Sequence, residues 1–144
     1  MRLGRTSDKT LWVEAWMEKV DTKVMCDTMI ELHRKRPADR VVLETNGFQE
    51  LIKIPLEQSC QRYQMTLPIH QVVNAVAKPV RIRRLTPYLA KRQIRFRRTP
   101  GTMIGVDQLK KFRVPAMPGV HDDFPDALES ALRTSIDLFN ARYK

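Results

Sequence analysis

The sequence is poor in the residues that build disulfide frameworks and thiolate metal sites. It contains two cysteines, Cys26 and Cys60, which lie far apart and form no CxxC pair. This spacing argues against a zinc site and indicates reduced, buried thiols rather than a disulfide scaffold. Serine, cysteine and histidine also form no evident nucleophilic set, so we expect surface or structural roles for His33 and His70.

Long apolar runs are missing as well. No run approaches the roughly 18 residues of a membrane span, and the basic N-terminus lacks the apolar stretch of a signal peptide. A GxxxxGK[ST] phosphate loop is also absent, which excludes an ATPase of that type. With 42% hydrophobic and 29% charged residues, the composition is typical of a soluble globular protein. We therefore expect a single cytoplasmic domain over residues 1–144 with no membrane partner.

Acidic residues are nearly absent from one part of the chain. Residues 78–113 carry 12 basic and one acidic side chain, which accounts for nearly all of the net charge of +10. Arginine dominates this basic block, as suits bidentate contacts with phosphates. A solvated face that aids solubility is the alternative, but it would not require charges of one sign. The candidate nucleic-acid contacts are Lys78, Arg81, Arg83, Arg84, Lys91, Arg92, Arg95, Arg97 and Arg98.

The first half of the chain alternates between strand and helix patterns. Residues 10–20 alternate apolar and polar, which predicts a strand with one buried face. A helix then runs from a cap at Asp21 or Thr22 to about Arg36. The apolar run at 40–44 predicts a strand buried within a parallel sheet.

The second half continues this alternation. A turn at 45–47 leads into a helix that ends near Gln61, with Leu51, Ile52 and Leu56 facing inward and Pro55 as a kink or break. We then expect a strand at 63–70, a helix at 75–90 interrupted or entered at Pro79, an exposed or edge strand at 93–97, and helices at 103–113 and 124–141. The whole pattern predicts an α/β fold with a mixed, mostly parallel sheet flanked by helices.

Glu44 ends the apolar run Val-Val-Leu, at the carboxyl end of the predicted inner strand. Active groups of open α/β sheets collect at this end of the strands. A carboxylate buried there without a partner would be costly. Glu44 therefore either reaches solvent at the strand end or belongs to a functional site.

The stretch HDDFPDAL places three carboxylates within five positions, at Asp122, Asp123 and Asp126. A helix start explains one of them, because Pro125 suits the first turn and Asp122 or Asp123 can cap it. Crowded acids repel one another unless a cation neutralises them, and Mg²⁺ or Mn²⁺ is the hard, oxygen-seeking candidate. Asp126 lies roughly opposite the apolar stripe of the predicted helix, so it can serve a metal only at the edge of a site.

Trp12 and Trp16 lie four residues apart in the first predicted strand, on the same face as Glu14. Two interpretations are open for this pair. The indoles form an aromatic platform, or they pack beneath a neighbouring helix or a missing strand.

The segments LWVEAW, VVLETNG, KPVRIRRLTPYLAKRQIRF and HDDFPDALESAL together resemble the C-terminal nuclease domain of phage terminase large subunits, over about residues 10–140. The resemblance implies a ribonuclease-H-like fold and a two-metal endonuclease that hydrolyses phosphodiesters of double-stranded DNA with Mg²⁺ or Mn²⁺. It places one metal acid on Glu44 and the last among Asp122, Asp123 and Asp126. Glu44, Asp123 and Asp126 are the favoured catalytic residues, and the basic block would hold the duplex.

The chain departs from that family at its beginning. The family's first metal acid lies on a strand that precedes LWVEAW, and neither Asp8, in a loop-like stretch, nor Glu14, within the strand, is a good substitute. We therefore expect a domain truncated at its N-terminal side, as a fragment, a piece completed by another polypeptide, or a remnant. The implied partners are the terminase ATPase domain, the small terminase subunit and the portal, in a host cell of a phage or prophage. A non-catalytic DNA-binding or assembly module, or an inactive remnant, is the alternative function.

Overall fold

The structure is a computed structural model that describes residues 1–44, 49–114, 119 and 121–142. The elements in chain order are β1 (Arg2–Arg5), β2 (Leu11–Glu14), α1 (Thr22–Lys35), β3 (Val41–Glu44), α2 (Gln49–Arg62), β4 (Ile69–Val72), α3 (Lys78–Arg83), α4 (Thr86–Ala90), β5 (Ile94–Phe96), α5 (Pro100–Lys111) and α6 (Asp123–Arg142). They form two compact units. The terminal unit comprises Met1–Glu18 with Val76–Lys144, and the central unit comprises Lys19–Ala75. The single nuclease-type domain predicted over residues 1–144 stays a prediction.

The terminal unit contains a three-stranded mixed sheet in the order β1-β2-β5. Strand β1 is antiparallel to β2, and β5 runs parallel to β2 at the edge. In β2, Leu11 and Val13 are buried while Trp12 is exposed, which confirms the one-sided strand predicted from the alternation. The sequence pattern missed β1, because its four residues are all half-buried and carry no apolar alternation.

A tight turn joins β1 to β2. The carboxylate of Asp8 accepts hydrogen bonds from the Thr6 hydroxyl and from the Thr10 backbone N–H and hydroxyl. These bonds hold the pKa of Asp8 below its ordinary value, the bond from the Thr6 hydroxyl contributing most. Asp8 therefore has a local role in the turn, as expected for a loop residue.

Helix α5 packs closely on β2 through small residues. The hydroxyl of Thr102 accepts a hydrogen bond of 2.9 Å from the backbone N–H of Ala15. A Cβ added at Gly101 would lie 2.5 Å from the carbonyl oxygen of Ala15, and one added at Gly105 would overlap the ring of Phe124. The core beneath the sheet comprises Leu11, Val13, Ala15, Ile82, Leu85, Ile94, Phe124, Leu128 and Leu132.

The predicted helix at 75–90 is two short helices, and the division has a backbone cause. Pro79 lies in the first turn of α3, so it enters that helix rather than interrupting it. Pro87 lies in the first turn of α4 and cannot donate a hydrogen bond to the preceding turn. The predicted edge strand at 93–97 is confirmed by β5.

The central unit pairs β3 with β4 in parallel, in register from Val41 opposite Ile69 to Glu44 opposite Val72. The parallel pairing was predicted, but burial on both faces was not correct, because the three apolar residues of β3 are only half-buried. Strand β4 also lies later than the predicted strand at 63–70. The predicted turn at 45–47 lies outside the described residues.

The helices of the central unit pack around a small core of Cys26, Ile52 and Leu56. Asp21 caps α1 by accepting a 2.8 Å hydrogen bond from the N–H of Val24, which confirms the predicted helix start. The prediction that Leu51 faces inward is wrong, since its side chain is 64% exposed. Ile52 and Leu56, four residues apart, form the buried stripe, and Leu51 lies one position off it.

The observed architecture is α/β, with a small mixed sheet flanked by helices, as the alternation of elements predicted. The finer expectation of a ribonuclease-H-like topology stays a prediction. No helix within the described ranges is both long and apolar enough to cross a membrane.

Candidate acidic site and nucleic-acid interface

The HDDFPDAL stretch begins helix α6. The carbonyl of Asp122 accepts a bond from the N–H of Asp126, and the N–H of Phe124 donates to the side-chain oxygen of Gln108. Phe124 and Pro125 are fully buried, so the helix start is anchored on the core. This geometry accounts for the proline and aromatic residues of the stretch.

The first carboxylate of the stretch binds a lysine. Lys78 donates a hydrogen bond of 2.7 Å to Asp122, and its Nζ lies 3.7 Å from Asp126. Partial burial by itself would lower the pKa of Lys78, but the bond to Asp122 and the charges of Asp122, Asp126 and Asp123 outweigh it and raise that pKa above the ordinary value. The cation is therefore held in its charged form by the acidic cluster.

The second carboxylate binds an arginine that is itself buried. Nη1 of Arg81 lies 2.7 Å from Oδ1 of Asp126, and Nη2 donates to Oδ2 at 3.3 Å. Nε of Arg81 donates to the carbonyl of Val76, and both charged side chains are about 95% buried, at 5% and 6% exposure. The position of Asp126 opposite the apolar stripe therefore does not leave it at the surface, because α3 covers that side of α6. The prediction of Arg81 as a phosphate contact does not fit this burial.

Glu129, which the sequence reasoning missed, completes the cluster. It is 2% exposed, and its Oε1 lies 3.4 Å both from Nη1 of Arg84 and from Nε of Arg133. Nη1 of Arg81 lies 3.9 Å from Oε2. A signal was present in the sequence, because Arg81 and Arg84 have the same three-residue spacing as Asp126 and Glu129. Residues three apart lie on the same side of a helix, so each of these pairs presents its two charges in one direction.

These contacts form three successive ion pairs between residues 78–84, which comprise α3 and its C-cap, and residues 122–129, at the start of α6. We call them the ion-pair ladder: Lys78–Asp122, Arg81–Asp126 and Arg84–Glu129. The ladder neutralises the acids from within the chain. Two of the predicted metal ligands, Asp122 and Asp126, are thus paired with two of the predicted nucleic-acid contacts, and a third predicted contact, Arg84, is paired with Glu129.

The remaining predicted metal ligands are exposed. Asp123 has no ion pair within the described part of the chain. Glu44 is exposed at the end of β3 and accepts a 2.8 Å hydrogen bond from the amide of Asn74. Glu44 belongs to the central unit and Asp123 to the terminal unit. Their joint role as metal ligands stays a prediction.

The donor set of the ladder does not fit a resident Mg²⁺ or Mn²⁺ ion. Such an ion requires several oxygen ligands in its own coordination shell, whereas the oxygens of Asp122 and Asp126 face Lys78 and Arg81. Across residues 1–44, 49–114, 119 and 121–142, no three or more His, Cys, Asp or Glu side chains are grouped so as to hold a metal ion.

The later part of the basic block is open to solvent. Arg97 is exposed and pairs with Glu14 at 3.3 Å. Five other cations are exposed and have no ion pair among the described residues: Arg83, Lys91, Arg92, Arg95 and Arg98. We call residues 91–98, which surround edge strand β5, the basic segment. The structure thus divides the predicted nucleic-acid contacts into three cations engaged in the ladder and six outside it.

The fold and site together define an α/β protein with an internally neutralised acidic helix start and an exposed basic edge strand. No family model, curated protein or solved structure matches the chain.

Proposed function

We propose that this chain binds double-stranded DNA through its phosphates, using the basic segment and Arg83. The observation that carries the proposal is the set of exposed cations that lack ion pairs within the described part of the chain. The most buried acids of the terminal unit are occupied by the ladder, so they do not neutralise this surface. A surface of one charge sign attracts a polyanion and releases its counterions.

Salt dependence tests this proposal directly. Each phosphate contact contributes about −0.9 to the slope of log affinity against log salt. Replacing Arg95 and Arg98 together by glutamine should reduce that slope by about 1.8, measured by fluorescence anisotropy with a duplex between about 50 and 200 mM salt.

A matched control removes the same charge elsewhere. Lys23 and Lys53 are exposed on α1 and α2, and replacing both by glutamine should leave the slope nearly unchanged. Equal losses in the two double variants would mean that net charge, rather than the basic segment, determines binding. Affinity that does not change with salt would contradict phosphate contact altogether.

We further propose that the chain is a nuclease-type domain of a phage or prophage DNA-packaging terminase, with a ribonuclease-H-like fold. The support is the resemblance of VVLETNG and HDDFPDALESAL to that family. Its partners would be the terminase ATPase domain, the small subunit and the portal, in the host cytoplasm. Binding to DNA is common to this role and to a non-catalytic module, so cleavage distinguishes them.

Cleavage is the second candidate activity, and the exposure of Glu44 and Asp123 favours it. Mg²⁺ or Mn²⁺ would supply Lewis-acid activation of the phosphodiester, with these two carboxylates as the remaining candidate ligands. Plasmid nicking that depends on Mn²⁺ or Mg²⁺ is the expected result, and Glu44→Ala or Asp123→Ala should abolish it.

Asp107 provides the matched control for loss of one acid. It is exposed and pairs with Lys111 at the surface, so Asp107→Ala should nick at the unaltered rate. Nicking that survives both Glu44→Ala and Asp123→Ala would remove those residues from the reaction. Salt-sensitive DNA binding without nicking would favour the non-catalytic module.

A further inference from the structure

The outer face of the three-stranded sheet presents an exposed indole. Leu11 and Val13 point into the core, so the alternation of β2 turns Trp12 to the opposite face. Its side chain is 47% exposed. This exposure does not fit packing of Trp12 beneath a neighbouring helix of the described residues.

Trp12 has open space beside it on the β1 side and a basic side chain beside it on the β5 side. In register on β1 lies Gly4, where an added Cβ would meet no atom within 4 Å. In register on β5 lies Arg95, which is exposed. The indole therefore lies between a position without a side chain and a guanidinium group.

The charges around this face are suited to a nucleic-acid strand. Glu14, the acid nearest along β2, is engaged by Arg97 at 3.3 Å, so its charge is partly neutralised. Lys91 and Arg92 precede Arg95 in the chain, and Arg98 follows it. The cations that would bind phosphates thus lie along the edge strand next to the ring.

We propose that this face binds single-stranded DNA, with an unpaired base stacked on Trp12 and the adjoining phosphates on Arg95 and the basic segment. This proposal rests on the proposed DNA-binding function and adds that the outer face of the sheet recognises DNA in its single-stranded form. A duplex hides the flat faces of its bases within the stack, whereas an unpaired base exposes them. Base stacking on aromatic side chains beside a basic groove is the usual mode of single-strand binding.

Tryptophan fluorescence provides the direct measurement. In a Trp16→Phe background, Trp12 is the remaining tryptophan, and oligo-dT of about 16 nucleotides should quench its emission. Trp12→Ala should weaken oligo-dT affinity by about tenfold, while Trp12→Phe should retain most of it because a ring remains. Since Trp12 is exposed, neither substitution should prevent folding, which circular dichroism will confirm.

Gly4→Val is a second, independent variant. The open space at Gly4 accommodates the added atoms, but the branched side chain would stand beside the indole and obstruct a stacked base. It should weaken oligo-dT binding, whereas duplex affinity should stay within about twofold in this variant and in Trp12→Ala.

The outcomes separate this proposal from the one on which it rests. If duplex binding is retained but oligo-dT neither quenches Trp12 nor responds to Trp12→Ala, the stacking site is overturned alone. If salt-sensitive duplex binding is also absent, DNA binding by the basic segment fails too. Self-association that Trp12→Ala abolishes, with oligo-dT affinity unchanged, would assign this face to a protein contact and overturn the proposal.

Discussion

The Arg81–Asp126 pair shows how a buried charge determines what its neighbours can do. Both side chains are almost fully buried, and the two terminal nitrogens of Arg81 lie 2.7 Å and 3.3 Å from the two carboxylate oxygens of Asp126. Removing two charges from water costs several kcal/mol per ion, and close geometry with additional hydrogen bonds offsets that cost. A carboxylate so occupied is a structural group between two helices. It does not present its oxygens to a metal or to solvent.

Breaking this pair from one side should be strongly destabilising. Arg81→Met would leave Asp126 as a buried carboxylate without its main partner, and we expect the free energy of unfolding to fall by about 3–5 kcal/mol. Urea denaturation measures the loss. Arg83→Met, at the exposed next-but-one position of α3, should change stability by no more than about 0.5 kcal/mol.

The double variant Arg81→Met/Asp126→Leu identifies the cause. It removes both charges and should recover most of the stability lost in the single variant, because apolar pairs replace buried ion pairs at little cost. A double variant that is as unstable as Arg81→Met would show that packing of the arginine stem, rather than the uncompensated charge, accounts for the loss.

Asp27, in the central unit, makes the stability of the folded chain depend on pH. The hydroxyl of Ser59, which is fully buried, donates a 2.6 Å hydrogen bond to Asp27, and Arg62 lies 2.9 Å from the same carboxylate. These contacts, the Ser59 bond first, hold the pKa of Asp27 below its ordinary value of 3.8. A lowered pKa stabilises the folded chain above the unfolded value, and this contribution is lost as pH falls through the folded pKa.

We therefore expect Asp27→Asn to destabilise the protein at neutral pH and to destabilise it less at acidic pH. The stability difference between the wild type and Asp27→Asn should be constant above about pH 5 and should shrink as pH falls below 3.8. Thermal unfolding across this range measures it. Asp21→Asn would serve as the comparison at the helix cap, where asparagine is also a good N-cap. A stability difference for Asp27→Asn that grows toward low pH would contradict a lowered pKa of Asp27 in the folded state.

At the scale of elements, the docking of α5 on β2 depends on two glycines one helical turn apart. Gly101 faces the backbone of Ala15, and Gly105 faces the ring of Phe124, which also anchors the start of α6. The absence of side chains at these positions lets helix, strand and second helix approach closely. Spacing of four residues puts both glycines on one face of α5.

Gly105→Ala should therefore destabilise the protein despite the better helix propensity of alanine. The added Cβ would overlap the Phe124 ring, and overpacking of this kind costs about 1–3 kcal/mol or more. Gly4→Ala is the matched control, because its Cβ meets nothing within 4 Å. Chemical denaturation should show a loss for Gly105→Ala alone, and equal stabilities for the two variants would contradict the close packing described.

The same scale shows where periodicity predicts structure and where it does not. The buried face of β2 and the capped start of α1 follow from residues that are neighbours in sequence, and both were predicted. Strand β1 was missed, since its stability comes from pairing with β2 rather than from its own pattern. Leu51 was predicted to face inward because helical periodicity does not determine how wide the buried stripe is. Packing against α1 determines which positions of α2 are buried.

At the scale of the whole molecule, the cations that give the net charge of +10 fall into two groups, one paired with acids and one exposed. Lys78, Arg81 and Arg84 pair with acids in the ladder, while Lys91, Arg92, Arg95 and Arg98 of the basic segment are exposed and have no ion pair among the described residues. Counting charges along the chain cannot separate the two groups, because they are contiguous in sequence. Only the position of α6 against α3 distinguishes them.

The sequence by itself determined the α/β class, most helix and strand positions, and the concentration of positive charge in one block, because each depends on composition or on periodicity between near neighbours. Tertiary structure decided the partners of the acids in HDDFPDAL, the burial of Glu129 and the neighbours of Trp12. The ion pairs of these acids and the pairing of Trp12 with Arg95 join residues about 40 to 90 positions apart. The role of such a charge or ring depends on contacts that neighbouring residues in the sequence do not determine.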